Sequence, residues 1–75
     1  MTAKELVKKL MTDKGMTNAE MANALDITQA ALWDRLNPKK TNNMTIVKLS
    51  TMLSVLGFKV VVENIETGET YEITE

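Results

Sequence analysis

Apolar residues recur at helical spacing along residues 1–57, and beyond that point they alternate with polar residues at a period of two. Ala3, Leu6, Val7, Leu10 and Met11 form the first apolar stripe, with Lys4, Lys8, Lys9 and Thr12 on the outward side. Thr2 followed by Glu5 reads as a capping box. Gly15 after Lys14 reads as a left-handed stop, with the lysine suited to the negative helix end. Met16 stands where it would staple the next cap.

Residues 17–36 hold two further helix starts eleven residues apart, Thr17 with Glu20 and Thr28 with Gln29. Two short helices, over residues 18–24 and 29–36, are therefore predicted to meet at a steep angle. Ala22 permits close approach, Leu25 and Ile27 bracket the turn, and Leu32 and Leu36 lie on the inner face of the second helix. Asn37 to Asn43 is a polar loop containing the helix-stopping Pro38. A fourth helix is predicted over residues 44–56, with Ile46, Leu49, Met52, Leu53 and Leu56 on one stripe and Gly57 at its end.

In the last segment Phe58, Val60 and Val62 alternate with Lys59, Val61 and Glu63, and Tyr71 and Ile73 share a face of residues 69–74. A four-residue turn, Ile65-Glu66-Thr67-Gly68, sets Val62 opposite Tyr71 and Val60 opposite Ile73, so both strands turn their apolar residues the same way. A three-residue loop would mix the faces. The fold class expected is mainly α with a C-terminal β-hairpin, α+β overall: a helix-turn-helix body over residues 1–57 and a hairpin over 58–75, in one domain.

Thr17, Glu20, Ala22, Leu25, Ile27, Thr28, Gln29 and Leu32 resemble in type and spacing the helix-turn-helix of the Cro and phage-repressor (Xre-like) family, and the Leu56-Gly57 ending is similar to that of the family's fourth helix. The resemblance covers residues 2–57. It departs at Asp26, where the family usually has Gly because the turn favours positive φ, a conformation Asp tolerates less well than Gly but better than most residues. It departs again after Gly57, where the family often has a fifth helix and this chain has a hairpin pattern.

The resemblance implies that Gln29, Ala30, Trp33 and Asp34 occupy the positions that meet base edges. Gln29 suits a bidentate contact with adenine, and its alternative is a polar residue just inside the Thr28 cap. Trp33 lies along a groove wall or packs over the junction of the first and third helices. Asp34 accepts from cytosine N4 or, repelled by phosphates, is solvated or paired with a nearby cation. Asn18, Thr28, Lys39 and Lys40 are the expected phosphate contacts; for Asn18 and the lysines the alternative is ordinary solvated surface.

Composition narrows the classes. Seventy-five residues make one small domain, which buries only roughly 60 to 65% of its unfolded surface and gains by pairing. The absence of Cys and His removes disulfides, thiol chemistry, zinc fingers and imidazole catalysis, and no cofactor, metal or small-molecule ligand is expected. With no convergent carboxylate pair or phosphate loop, an enzyme is not expected either. Neither a signal-peptide run nor a membrane-length apolar stretch is evident, which reads as cytoplasmic. The net charge of −1 conceals an uneven distribution: residues 1–57 carry +3 and residues 58–75 carry −4.

The function expected is that of a sequence-specific, double-stranded-DNA-binding transcriptional regulator acting as a homodimer, with a chain too short for a ligand-sensing or protease-sensitive domain. Phe58, Val60, Val61, Val62, Tyr71 and Ile73 are the expected dimer surface, with helix 4 as the alternative. A protein-interaction module, such as an antitoxin-like or assembly partner, is the rival reading. The low isoelectric point and Asp34 favour it, whereas Gln29 and Lys39-Lys40 favour DNA.

Overall fold

Three helices follow one another within the first half of the chain, α1 (Ala3–Lys14), α2 (Asn18–Ala24) and α3 (Gln29–Leu36). α4 (Ile46–Val55) completes the helical body, and β1 (Val61–Glu63) and β2 (Thr70–Glu72) form an antiparallel hairpin. This computed structural model describes residues 1–40 and 43–73. Thr41 and Asn42, within the expected polar loop, and Thr74 and Glu75, at the end of the expected hairpin, lie outside the described residues.

Each helix begins at a threonine whose hydroxyl accepts an N–H of the first turn: Thr2 from Glu5, Thr17 from Glu20, Thr28 from Ala31 and Thr45 from Lys48. Only α2 closes the reciprocal box, with Glu20 accepting the Thr17 N–H at 3.1 Å. At α1 the hydroxyl half alone is made, so the box read at Thr2 and Glu5 is corrected to a simple cap. The fourth helix starts at Ile46 and not at residue 44, because Thr45 takes the cap in extended conformation (φ −83°, ψ 163°).

Three helix ends share one device. At α1 the Met16 N–H reaches the Met11 carbonyl and the Gly15 N–H that of Thr12. At α2 Ile27 reaches Ala22 and Asp26 reaches Asn23, and at α4 Phe58 reaches Leu53 and Gly57 reaches Ser54. These crossed pairs of bonds need a left-handed residue just past the helix. Gly15 (φ 67°), Asp26 (φ 55°) and Gly57 (φ 88°) supply it, and Asp26 alone among the described non-glycine residues has positive φ.

The core is Val7 and Met11 of α1, Met21 and Ala22 of α2, Leu32 and Leu36 of α3, and Met52, Leu53 and Leu56 from α4 and its cap. It holds no buried polar or charged residue among those described. Leu25 and Ile27, flanking the turn, pack half-buried against it. Ile46 departs from the expected stripe. It is 49% exposed, while Leu49 is half-buried against the core and Met52, Leu53 and Leu56 are buried, so the stripe enters the core only from Leu49 onward.

The hairpin adopts the register that the alternation requires, Val62 opposite Tyr71, with the Ile73 N–H donating to the Val60 carbonyl at 3.1 Å. The Asn64 N–H donates to Glu69 at 2.8 Å and closes the four-residue turn over 65–68. Within the turn, Asn64 Oδ1 accepts the N–H of Glu66. The strands are shorter than the alternation indicated, and of the described hairpin residues only Val60 packs against the core. The molecule measures 41 × 25 × 23 Å with a radius of gyration of 13.2 Å, against roughly 11 Å for a compact chain of this length. The excess reflects a hairpin that stands off the helices.

Candidate nucleic-acid interface

Burial of Leu32 and Leu36 sets the rotation of α3, and the Thr28 cap makes Gln29 its first helical residue. The outer side then carries Gln29, Ala30 and Trp33, all exposed. Trp33 is 66% exposed, a high value for the largest apolar side chain in the protein. It borders a cleft of about 310 Å³ between α1 and α3, shared with Lys8, Met11, Met16, Asn18, Leu36 and Pro38. Asn18 and Trp33 are thus brought to one surface.

Asp34 is turned partly away from that arc. Its side chain is about half exposed and receives Lys40 Nζ at 2.8 Å. The hydrogen bond from Lys40 holds the Asp34 carboxyl below the ordinary carboxylate range, with further attraction from Lys4 and Lys48. Lys40, one of the expected phosphate contacts, is in this way paired to one of the expected base contacts. Lys39 is exposed and has no acidic partner among the described residues. Thr28 Oγ1 is engaged as a cap acceptor, which leaves its O–H to donate.

Two residues outside the sequence-derived set organise this region. Lys4 Nζ donates to the carbonyls of Asn37, at 2.6 Å, and Lys40, at 2.7 Å, clamping the chain as it leaves α3. Asn43 Nδ2 donates to the Asp34 carbonyl at 2.7 Å, while Asn43 Oδ1 is buried without a partner among the described residues. Helical spacing marked Lys4 only as a solvent-side residue. Inside the loop, the N–H groups of Lys39 and Lys40 return to Asn37 Oδ1 and Asn37 O.

At the capping box, hydrogen bonds from the Thr17 N–H and hydroxyl hold Glu20 below the ordinary carboxylate range. Of the residues expected at a dimer surface, Val60 and Ile73 are half-buried, while Phe58, Val61, Val62 and Tyr71 are exposed. Among the described residues no group of three or more acidic, His or Cys side chains is placed to hold a metal, and no helix is long and apolar enough to cross a membrane. Comparisons with protein-family models, curated proteins and solved structures return no match.

Proposed function

We propose that the protein is a sequence-specific binder of double-stranded DNA that regulates transcription in the cytoplasm as a pair of identical chains. The observation that carries this reading is the bare outer arc of α3. Gln29, Ala30 and Trp33 face solvent on a helix whose opposite side is locked into the core, in a helix-turn-helix with the left-handed turn at Asp26. In this reading α3 enters the major groove, Gln29 pairs with adenine, and Trp33 contacts sugar or a thymine methyl. Asn18, Thr28 and Lys39 hold phosphates; Lys40 does so while sharing its charge with Asp34.

A second reading, a module that binds another protein, draws on the cleft beside Trp33, where Met11, Met16, Leu36 and Pro38 line one surface. Electrophoretic selection from a pool of random duplexes, followed over a salt series, tests the two. Recovery of a preferred sequence with affinity that falls steeply as salt rises supports the DNA reading. Retention of no duplex at low salt overturns it and leaves the protein-binding reading.

A further inference from the structure

We propose that two copies of the chain join edge to edge along β1, in the two-fold register that centres on Val61 and sets Lys59 of each copy opposite Glu63 of the other. The proposal deepens the reading of the protein as a paired DNA binder and rests on that reading for its purpose; its geometry stands on the hairpin.

The direction of the backbone groups selects the residues involved. The Ile73 N–H meets the Val60 carbonyl and the Asn64 N–H meets the Glu69 carbonyl, so even-numbered positions of this strand turn their peptide groups toward β2. Alternation then turns those of Lys59, Val61 and Glu63 outward. The sheet has two strands, and among the described residues no further strand lies along that edge. An open edge flanking three consecutive valines is a template for another strand.

Charge selects the register. Antiparallel two-fold pairing of this edge can centre on any position from Lys59 to Glu63. Centring on Lys59 or on Glu63 sets like charges against each other, and centring on Val60 or Val62 leaves both charged residues facing uncharged positions. Centring on Val61 alone sets each Lys59 ammonium opposite a Glu63 carboxylate of the second copy. The same register pairs odd positions with odd, so the outward N–H and C=O groups meet, Val61 bonding to Val61 across the axis. Lys59 lies 3.5 Å from Glu72 of its own hairpin and would bridge two carboxylates.

The faces agree as well. A two-fold axis normal to the sheet keeps each face on its own side, so Val60 comes opposite Val62 of the second copy. That continues the half-covered apolar face to which Val62 and Tyr71 belong. Four strands also meet the requirement that a lone two-stranded hairpin fails. The outer edge of β2 offers no equivalent. Centring there on Glu72 opposes two carboxylates, centring on Tyr71 leaves Glu72 facing the uncharged Thr70, and centring on Thr70 runs Glu72 into the turn at Gly68.

The test is sedimentation equilibrium of the intact chain, its Lys59→Glu and Glu63→Lys variants, an equimolar mixture of the two, and the double variant. Each single variant is expected to weaken self-association by at least about tenfold, because two attractive cross-strand pairs become repulsive. Mixing the two restores it: the introduced carboxylate meets the introduced ammonium, and native Lys59 still meets native Glu63. The double variant associates like the parent. A monomeric parent, single variants as tightly associated as the parent, or a mixture no tighter than its components overturns the proposal. The same samples applied to random duplexes separate the two readings. Complementary pairing without DNA retention supports this interface and overturns the DNA function, whereas DNA retention with association indifferent to the swaps overturns the interface alone.

Discussion

The ammonium of Lys4 lies 2.6 Å from the carbonyl oxygen of Asn37, thirty-three positions away, and the same nitrogen also reaches the carbonyl of Lys40. One cation from the first turn of α1 thereby holds both ends of the segment that presents Lys39. Lys4→Met keeps most of the apolar stem and removes the donor, so a loss of about 1 kcal/mol in urea unfolding is expected. Faster hydrogen exchange at the Lys40 N–H should accompany it. An unchanged exchange rate would mean the loop holds its form without the clamp.

Gln29→Ala tests base reading. On the preferred duplex the loss should be about 1 to 3 kcal/mol, and on random duplexes far smaller, because phosphate contacts survive. Equal losses on both, measured by titration at one salt concentration, would remove Gln29 from the base-reading set.

The pairing of Lys40 with Asp34 separates the two adjacent lysines. Lys39→Ala should flatten the log–log salt dependence by roughly 1, Lys40→Ala by less, and the double change by roughly 1 to 2. Asp34→Asn releases the Lys40 ammonium and deletes a negative charge, so affinity for every duplex should rise. A weaker Asp34→Asn variant would instead show Asp34 contacting a base.

Glu20 and Asp34 both have folded-state values lowered by hydrogen bonds, Glu20 by Thr17 and Asp34 by Lys40. A carboxylate lowered on folding contributes stability at pH above its unfolded value and loses it as pH falls through the folded value. The stability that Glu20 and Asp34 contribute should therefore begin to fall as pH enters the ordinary carboxylate range and be gone once pH is below the lowered folded-state values. Glu20→Gln should lower stability at neutral pH while making the acid limb shallower. A thermal-melt series from neutral to acid pH that gave parallel curves would contradict the assignment.

Asp26 sits at φ 55° in the position that Gly15 and Gly57 hold at the ends of α1 and α4. Asp26→Gly relieves the left-handed conformation and should raise the melting temperature, by about 0.5 to 1 kcal/mol in stability, whereas Asp26→Val should lower it. The pair of melts checks the turn without reference to DNA.

The sequence by itself determined where the first three helices start, where α1 and α4 stop, and how the hairpin pairs. A cap at Thr17 or Thr28, a left-handed stop at Gly15, and the alternation that sets Val62 against Tyr71 each act within a few residues or along one strand pair. Their chemistry is complete in the local string. Thr45 follows the same rule, but helical spacing alone carried the fourth helix back to residue 44, and the cap moved its start to Ile46. Tertiary structure alone decided that Lys4 clamps the loop after α3, that Asp34 takes Lys40, that Ile46 is left outside the core and that the hairpin stands off the helices. Those outcomes depend on how whole helices seat against one another. Helical spacing says which side of an element is apolar, and not how far along that side the neighbouring helices reach.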